Sequence, residues 1–498
     1  MKNQSNHLFT EQQIRQLEQL AVDNGITTDV LMEKAGNAAF QLIKERWPKT
    51  QSIIIFCGGG NNGGDGYVVA RLAFENKLKV QVRYIGDLQK LKDEAFNAMQ
   101  KCQQASVEIL PFDANEKLNA DVFVDALLGI GLQGNVREST VTVIDTINNS
   151  TAKILSVDIP SGLQADSGAV FGAAVHANHT ITFIGLKQGL FTGDAPDYCG
   201  EIFCNDLDLS KKWFSQVKPS AKKITSKDYS TLLKPRARTT HKGQLGHVLV
   251  VGGDYGMGGA PCLAALGAAR IGAGLVTVAT RREHTNIINI IQPELMSRGI
   301  EKKKDLSALL AKATVVVIGP GLGQSKWSEK LLSTVLDSEL PLIIDADGLN
   351  LLAKKSLTRP HWILTPHPGE AARLLKKHTK DIQANRYQAA HDIQKQYGGI
   401  CILKGAGSII YHEFDVPTVC TAGNPGMASG GMGDLLAGII GGLVAQGIAL
   451  ADAACLGVCL HAEAGDKVAE KQGEHGMLAT DLLLSLGLRK FETKIKGD

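Results

Sequence analysis

The 498-residue sequence lacks the features that mark several classes of protein. No C-x-x-C pair occurs among its nine scattered cysteines, which favours reduced thiols in a cytosolic protein over a disulfide framework. The formal net charge of +3 is too small to indicate nucleic acid or a membrane surface as the main partner. The 54 glycines follow no G-X-Y period, which excludes a collagen-like fibre and predicts many turns between strands and helices.

No apolar run is long enough to cross a bilayer, and the start of the sequence shows no secretion signal. The most apolar segment runs unbroken only from Leu435 to Ala445, whereas a membrane-spanning helix needs about 20 apolar residues. We interpret this segment and the one after it as two buried helices with a hinge near Gly447. The opening MKNQSNHLFTEQQ lacks the apolar core of a signal peptide, so we expect a cytoplasmic protein.

At this length the chain is expected to hold two or three domains, and its first half alternates between strands and helices. Thr10, and then Thr27 or Thr28, can cap two amphipathic helices near the start. Continuous apolar runs such as SIIIFCGGG (52–60) are followed by helical patterns, the first near 67–76. This alternation predicts a doubly wound α/β sheet, in which ligands bind at the carboxyl ends of the strands.

A basic segment separates this half from a second α/β alternation. Residues 211–242 carry ten lysines and arginines against a single acid, Asp228. We interpret the segment as a solvated linker, with a phosphate-binding patch as the less favoured alternative. The second alternation begins at GHVLVVGGD, and most of its strands end in Gly, Pro or Asp. We therefore predict two tandem α/β domains, 1–215 and 243–498, joined by 216–242.

The first half contains a glycine-rich turn with polar residues inside it. GGGNNGGDG (58–66) follows a buried strand and matches the G-x-G-x-x-G pattern of dinucleotide-binding turns, a weak signal in a glycine-rich chain. Its amides and carboxylate are suited to a monovalent cation or to a ligand with hydroxyl groups. Asp125, Asp158 and Ser161 end later strands. One such aspartate is more often a turn former, but the whole set on one sheet edge predicts a site.

The motifs NNGGDG, VDALLGIGLQG and SVDIPSGL, in this order, resemble the NAD(P)H-hydrate epimerase family over residues 10–215. That family interconverts the R and S forms of NADHX and NADPHX, nicotinamide cofactors with water added to the ring. The resemblance implies a Rossmann-like domain, a catalytic Asp158 beside the nicotinamide, and potassium ligands Asn62, Asp125 and Ser161. It also implies that the hydrate is held by Asn61, Asn62, Gly63, Gly64, Asp65, Gly129, Ile130, Gly131, Leu132, Gln133, Gly134, Asn135 and Asp158.

Four motifs meet at the strand-end edge of the second half: GPGLG (319–323), TPHPGE (365–370), KGAGS (404–408) and GGMGD (430–434). Each alone has a structural explanation, as a turn, an early acid on a helix, or a lysine that reaches past apolar surface to solvent. Asp434 has two alternative interpretations. A carboxylate at a glycine-rich turn would repel a bound phosphate, so it is expected there only if it has a role of its own, such as accepting a proton. Alternatively, Asp434 caps the helix that begins at Leu435, because aspartate is a good N-cap residue.

Together these motifs resemble the ribokinase-like superfamily, in which a G-x-G-D turn supplies the base, and within it the ADP- or ATP-dependent NAD(P)H-hydrate dehydratases, over residues 225–490. The resemblance implies that Asp434 is the catalytic base, with helix capping as a secondary role. It would activate the S-hydrate for phosphorylation by ADP with Mg²⁺, giving NAD(P)H, AMP and phosphate. Nucleotide-binding residues would be Lys404, Gly405, Ala406, Gly407, Ser408 and Gly433. Hydrate-binding residues would be Ala260, Gly321, Gly323, His367 and Asp434.

The two halves together resemble bifunctional NAD(P)H-hydrate repair enzymes, so we predict an isomerase and a lyase on one chain. The alternative is a ribokinase-like kinase of small molecules whose first domain is a non-catalytic binding module. The expected partners are NADHX, NADPHX and ADP, with no nucleic acid and no membrane. We also expect a homo-oligomer, for which an apolar helix such as 29–47 offers an interface.

Overall fold

The computed structural model describes residues 6–233, 235–413 and 415–486. Two compact units, Met1–Lys222 and Lys223–Asp498, divide the chain. The division falls inside the predicted linker. Lys234 of that linker, and residues 487–498 of the predicted second domain, lie outside the described residues.

The first unit alternates strands with helices through most of its length. Its described strands are β1 His7–Phe9, β2 Ser52–Cys57, β3 Lys79–Tyr84, β4 Glu108–Pro111, β5 Val122–Ala126, β6 Lys153–Val157, β7 His179–Phe183, β8 Leu186–Lys187 and β9 Glu201–Asn205. Its described α-helices are α1 Glu11–Asp23, α2 Thr28–Arg46, α3 Asn61–Glu75, α4 Asp93–Gln104, α5 Glu138–Asn148, α6 Pro196–Cys199 and α7 Lys211–Phe214. Short 3₁₀ turns occupy Leu88–Lys90 and Gln188–Phe191.

Side-chain caps start the first two helices where the sequence predicts them. The Thr10 hydroxyl accepts from the backbone N–H of Gln13, and the Gln13 side chain accepts from the backbone N–H of Thr10, which is a complete capping box. Thr27, not Thr28, caps α2 by accepting from the Val30 N–H. Both predicted helices are therefore confirmed, and the choice of cap at the second is resolved.

The main sheet of the first unit has the order β4-β3-β2-β5-β6-β7-β9, and its neighbouring strands pair in parallel. The chain winds outward from β2 to β4, then returns to place β5 on the other side of β2. This reversal is a topological switch point, where doubly wound sheets bind ligands. The predicted doubly wound fold is confirmed, and the turns after β2 and β5 lie at that point.

The segment between the predicted domains is folded in part. Residues Ala221–Ile224 form strand β10, in which Ala221 and Ile224 are buried. A 3₁₀ helix follows over Ser226–Leu232, and the Asp228 carboxylate accepts from the Thr225 backbone N–H at 2.7 Å. The interpretation of 211–242 as a solvated linker is therefore wrong for Ala221–Ile224, where the two apolar side chains are covered, whereas Lys227, Asp228 and Leu232 are exposed as that interpretation predicts.

The second unit repeats the alternation on a larger scale. Its described strands are β11 His247–Val251, β12 Leu275–Thr280, β13 Met296–Gly299, β14 Val315–Ile318, β15 Leu342–Ile344, β16 Trp362–Leu364, β17 Ile400–Leu403, β18 Ser408–Tyr411 and β19 Thr418–Cys420. Its described α-helices are α8 Gly259–Arg270, α9 Thr285–Ile291, α10 Lys303–Leu310, α11 Lys326–Leu336, α12 Ala346–Leu352, α13 Pro368–Leu375, α14 Thr379–Ala384, α15 Arg386–Tyr397, α16 Met432–Ala445, α17 Leu450–Gln472 and α18 Leu482–Leu486.

Its strands follow the order β13-β12-β11-β14-β15-β16-β17-β18-β19, parallel as far as β17 and antiparallel beyond it. The switch point lies between β11 and β14, so the loops after these strands face one crevice. The run ICILKGAGSII, which the sequence presents as one strand, is two strands, β17 and β18, joined by a hairpin. That hairpin is the KGAGS motif.

Small residues let the helices α8 and α16 approach closely. A Cβ added to Gly438 would lie 1.8 Å from the Ala264 carbonyl oxygen, and one added to Gly267 would lie 2.6 Å from the Leu435 carbonyl oxygen. Gly447 turns the chain between α16 and α17 at a φ of 86°, so the predicted pair of buried helices is confirmed. Within the described ranges, no helix combines the length and the apolarity needed to cross a membrane.

Candidate active sites

A cavity of about 1060 Å³ lies in the first unit, lined by the residues that follow β2, β5 and β6. Most of the predicted hydrate-binding residues line it: Asn61, Asn62, Asp65, Gly129, Ile130, Gly131, Leu132, Gln133, Asn135 and Asp158. Gly63, Gly64 and Gly134 are not among the lining residues. Gly63 and Gly64 are buried in packing contacts, and Gly134 turns the chain at a φ of 73°.

Helix α3 begins at Asn61, six residues before the predicted start at Tyr67, so most of the predicted loop is the first two turns of a helix. Close packing explains this early start. A Cβ on Gly58 would lie 1.9 Å from the Leu127 carbonyl oxygen, and one on Gly63 would lie 2.0 Å from the Gly58 carbonyl oxygen. These contacts outweigh the low helix propensity of the sequence. The free N–H groups of the first helical turn consequently border the cavity, where they favour an anion.

Asp158 follows β6 at the cavity wall, with a left-handed φ of 67°. Its Oδ1 accepts from the ammonium of Lys187 and from the hydroxyl of Thr182. Its Oδ2 faces Gly129, because a Cβ placed on Gly129 would lie 3.6 Å from that oxygen and 3.3 Å from the Cβ of Asn62. Among the residues that the structure describes, no donor reaches Oδ2, so Asp158 presents this oxygen to the segment that starts at Gly129. The structure thus brings three predicted site residues together.

Lys187 holds Asp158 in this orientation. The lysine is 1% exposed, and its ammonium also donates to Thr182 Oγ1 at 2.7 Å and to the Phe183 carbonyl at 3.0 Å. With Asp158, these acceptors use all three of its protons. A buried ammonium with every donor satisfied is a fixed positive charge beside the carboxylate.

Three further carboxyl groups line the same cavity: Glu18 from α1, Asp65 from α3 and Glu94 from α4. Burial raises the pKa of Asp65 well above the usual carboxyl range, and the neighbouring charges of Asp158 and Glu18 act in the same direction. Burial also raises the pKa of Glu18, although the Lys187 charge opposes the change. The cavity therefore combines a lysine-paired carboxylate with carboxyl groups that hold a proton more readily than usual.

The three predicted potassium ligands differ in how they are bonded. Asn62 is buried, and both side-chain polar atoms lack a hydrogen-bond partner among the described residues. Asp125 is fully buried and accepts from Ser156 Oγ at 2.8 Å and from both the N–H and the hydroxyl of Ser161, at 2.8 and 2.5 Å. The orphaned Asn62 oxygen fits a hard cation, whereas Asp125 and Ser161 already satisfy each other. Neither of the latter lines the cavity.

In the second unit, Asp434 is the third residue of α16 and does not cap it. The helix begins at Met432, its N-cap is Gly431 at a φ of 89°, and no side chain makes a capping hydrogen bond. The expectation that Asp434 caps a helix starting at Leu435 is therefore wrong, in its secondary role as well. Glycine at the left-handed cap position lets the helix start earlier, which places the carboxyl inside the first turn.

Asp434 lies among charged groups from several loops. Burial raises its pKa to about 7, and the carboxylates of Asp345, Glu370 and Asp347 add to the rise while Lys404 opposes it. Lys404 Nζ donates to Asp345 Oδ1 at 2.7 Å, and a Cβ on Gly433 would lie 3.0 Å from the same nitrogen.

Although burial alone would lower the pKa of Lys404, the carboxylates of Asp345, Glu370 and Asp434 raise it. The lysine therefore stays charged next to Asp434. The sequence motifs KGAGS and GGMGD meet here.

His367 and Glu370 form the start of α13. The Glu370 carboxylate accepts from the His367 backbone N–H at 2.8 Å, and its other oxygen lies 3.2 Å from His367 Nε2. His367 Nδ1 accepts from the Gly369 N–H at 3.0 Å, so the ring caps the helix. Glu370 is buried, whereas the His367 side chain is about half exposed.

The GPGLG turn packs on the loop after β11. A Cβ on Gly321 would lie 3.1 Å from the Ala260 Cβ, and one on Gly323 would lie 3.1 Å from Asp254 Oδ2. The Gly323 N–H donates to Asp347 Oδ2 at 2.9 Å. Asp347 is also one of the carboxylates that raise the pKa of Asp434. The residues around the GPGLG turn and those around Lys404 therefore belong to one site.

The KGAGS hairpin contains a tight turn that depends on two glycines with positive φ. Gly405 and Gly407 have φ values of 142° and 62°, which side chains rarely adopt. Ser408 Oγ donates to the Gly405 carbonyl at 3.1 Å, and the Arg386 guanidinium donates to the Lys404 carbonyl at 3.2 Å. Ala406 sits at the tip of this hairpin between the two glycines.

Sequence reasoning missed several residues of these sites. Lys187 stands in the apolar run FIGLKQGL and Glu18 in an amphipathic helix, where neither type of residue attracts notice. Asp345 and Asp347, in PLIIDADG, follow an apolar strand as Asp158 does, so the same pattern could have predicted them as site residues. Arg281, which donates to Asp254 at 2.8 Å, follows a strand with no motif of its own.

The fold and the two sites define a class of protein. A doubly wound domain with an acid-rich cavity at its switch point is followed by a ribokinase-like domain whose turns and lysine suit a phosphorylated ligand. Residues 248–486 match the sequence family described as NAD(P)H-hydrate dehydratase, and residues 28–189 match the family described as YjeF-related protein N-terminus. The chain is a two-site enzyme of the α/β type.

Relatives that match almost the whole chain show the family to which it belongs. The bifunctional NAD(P)H-hydrate repair enzyme of Coxiella burnetii is 52% identical over 95% of this chain and 97% of its own. The Escherichia coli enzyme of the same name is 44% identical, over 95% and 92%. A ribokinase-like superfamily protein of Enterococcus faecalis, 30% identical, matches 54% of this chain and 94% of its own with a TM-score of 0.50. This chain belongs to the family of bifunctional NAD(P)H-hydrate repair enzymes.

Proposed function

We propose that the first unit interconverts R- and S-NAD(P)HX and that the second dehydrates S-NAD(P)HX at the expense of ADP, giving NAD(P)H, AMP and phosphate. The observation that carries the proposal is the placement of Asp434, a carboxyl that titrates near neutrality beside Lys404 at the N-terminus of a glycine-rich helix. A base of this kind suits deprotonation of a hydroxyl, and the surroundings suit phosphate.

In the second site, Asp434 takes the proton of the hydroxyl on the hydrated ring as the terminal phosphoryl group of ADP is transferred to that oxygen. Gly405, Ala406, Gly407, Ser408 and Gly433 border the phosphates, and the Lys404 ammonium contacts the phosphates and balances their charge. Phosphate leaves more readily than hydroxide, and loss of a ring proton restores the reduced nicotinamide. Ala260, Gly321, Gly323 and His367 border the hydrate.

In the first site, the free oxygen of Asp158 faces the altered ring and the 129–135 segment covers the dinucleotide. The ion pair with Lys187 fixes that carboxylate, so its charge is available without reorganisation. The N-terminus of α3 receives the pyrophosphate, with Asn61, Asn62 and Asp65 on its first turns.

Two cations complete the proposal. Potassium at Asn62, Asp125 and Ser161 would supply a fixed positive charge, and the orphaned Asn62 side chain supports it. Mg²⁺ in the second site would neutralise nucleotide charge; it is commonly held mainly by phosphate oxygens, with one or two carboxylates. A preference for ADP over ATP, a homo-oligomer, a cytoplasmic location and the domain limits 1–215, 216–242 and 243–498 stay predictions.

Purified protein, mixed with acid-prepared NADHX, tests the proposal through the absorbance of NADH. We expect complete recovery of NADH with ADP and none without a nucleotide, and a parallel run with ATP settles the donor. Recovery that stops at the S-epimer fraction would refute the epimerase assignment. A stable phosphorylated product from a panel of simple alcohols, with no NADH, would favour the small-molecule kinase alternative instead.

A further inference from the structure

We propose that Glu18 is the second proton-transfer residue of the first site. It protonates the hydroxyl on the hydrated ring carbon, and it takes the proton back after water has returned to the other face of the ring. The inference rests on the epimerase function proposed above and assigns the proton donor of that reaction.

The start of the chain carries Glu18 to the cavity. Strand β1 pairs in parallel with β8, so that Phe9 lies opposite Lys187. A Cβ on Gly185 would lie 2.7 Å from the Phe9 ring and 3.2 Å from Ile14 Cδ1. Helix α1 is therefore packed directly on the segment that bears Lys187. This part of the chain precedes the residues 28–189 that match the first family.

Helical spacing then sets the direction of Glu18. Ile14 and Glu18 are four residues apart, so they lie on the same face of α1, and both line the cavity. The helix is fixed at its first residue, since the Glu11 N–H donates to Asp166 Oδ1 at 2.7 Å. Buried Leu17 and Ala21 hold its inner side. Glu18 is thus a side chain of a rigid element aimed at the site.

Two other groups near the site, Lys187 and Glu94, are poorly placed to donate a proton. Lys187 uses its three N–H groups on fixed acceptors, and giving one up would leave Asp158 without its counter-charge. Glu94 is a partly buried residue of the cavity wall, and its carboxylate is engaged by the Asn61 amide, from which it accepts at 2.8 Å. The pKa of Asp65 is raised as well, so the test below changes Glu18 alone.

Around Glu18 itself, burial raises its pKa, Lys187 and Arg15 oppose the rise, and Asp158 and Glu94 add to it. The protonated form of Glu18 therefore persists to higher pH than for an exposed glutamate. Asp158, which is paired with lysine, and Glu18, whose raised pKa favours the protonated form, thus combine a charged partner and an acid in one cavity.

The proposed step conserves atoms and charge. The Glu18 carboxyl transfers its proton to the ring hydroxyl, the C–O bond breaks, water departs, and the electron pair of the ring nitrogen forms a C=N bond. The Asp158 Oδ2 atom lies next to the resulting positive charge and stabilises it. Water then adds to the opposite face of the same carbon and returns a proton to the Glu18 carboxylate. No oxidant or reductant is needed, because the substrate and product are isomers.

Glu18→Gln in the full-length protein tests the inference, with Asp23→Asn as the matched control on the same helix. With excess ADP, NADH forms in a fast phase from the S epimer and a slow phase limited by epimerisation. We expect Glu18→Gln to lower the slow phase about 100-fold, as for loss of a general acid, and to leave the fast phase unchanged. Asp23→Asn, at an exposed carboxyl, is expected to alter neither phase.

The pH profile separates catalysis from structure. A required acid loses its proton as pH rises, so the slow phase of the unmodified protein is expected to fall on the alkaline side, and Glu18→Gln is expected to lose that limb. A Glu18→Gln protein with the normal slow phase, or a slowed one with the same limb, would overturn the inference. In heavy-oxygen water without ADP, unlabelled epimerised NADHX would also overturn it. Absence of a slow phase in the unmodified protein would instead overturn the epimerase assignment.

Discussion

At the scale of single residues, the environment of Asp434 predicts the pH dependence of dehydration. Its pKa of about 7 follows from burial and from the carboxylates around it, with Lys404 in opposition. A base works in its deprotonated form, so we expect the rate from S-NADHX to rise with pH through neutrality and then level off. Asp434→Asn is expected to lower that rate by roughly 10²-fold or more at every pH, measured as NADH formed with ADP.

The thermal stability of Asp434→Asn serves as the control for its loss of activity. A carboxyl whose pKa is raised on folding destabilises the folded state progressively as pH rises from its unfolded value through its folded value. Asp434→Asn is therefore expected to unfold at a higher temperature than the unmodified protein above neutral pH. Loss of activity together with a lower unfolding temperature would mean that Asp434 is structural, contrary to its assignment as the base.

Replacement of Lys404 is predicted to have two separable effects: one on stability, through its ion pair with Asp345, and one on nucleotide use. Asp345 is 1% exposed, and it accepts from Lys404 and, at 2.8 Å, from Thr365. Lys404→Met leaves that carboxylate without its cation, which typically costs about 3 kcal/mol of unfolding free energy. We expect urea unfolding to show this loss, and Asp345→Asn in the same chain to restore much of it.

Nucleotide use is expected to stay impaired in the double variant, because the cation that faces the phosphates is still missing. The KM for ADP measures this. A double variant with normal KM would show that Lys404 stabilises the fold without touching the nucleotide.

At the scale of elements, the first turn of α3 is predicted to depend on Gly63. A Cβ there would lie 2.0 Å from the Gly58 carbonyl oxygen, and backbone cannot yield as a side chain can. Gly63→Ala is expected to destabilise the first unit by about 1–3 kcal/mol and to slow epimerisation. Gly59→Ala, whose Cβ would meet nothing within 4 Å, is the control for stability. Equal unfolding temperatures for the two variants would contradict the packing argument.

The elements also show what the sequence can and cannot predict. Thr10 and Thr27 identify helix starts because their caps are local hydrogen bonds between residues three apart. The starts of α3 and α16 were misplaced because glycine-rich helices begin where tertiary packing permits. Strand ends were predicted where a continuous apolar run stops, as at β2, but the two strands within ICILKGAGSII were not separated. The partners across the sheet, such as Lys187 for Asp158, required the fold.

At the scale of the whole molecule, the sequence predicted both domains and both sheets because each motif follows a strand of a parallel sheet, whose carboxyl ends share an edge. It could not predict which charges converge on Asp434, since these come from the segments after three strands, β15, β16 and β17. The division of the chain into two compact units implies that each activity can be removed alone.

Complementation between two inactivated chains tests the central claim, that one chain carries two independent sites for one repair. Asp158→Ala is expected to stop NADH recovery from mixed NADHX and ADP at the S-epimer fraction, beyond which only slow spontaneous conversion proceeds. Asp434→Asn is expected to allow almost none. A mixture of the two full-length variants should recover NADH completely, because each supplies the site that the other lacks. A mixture that stops at the S-epimer fraction, or full recovery by Asp158→Ala alone at the normal rate, would contradict the account.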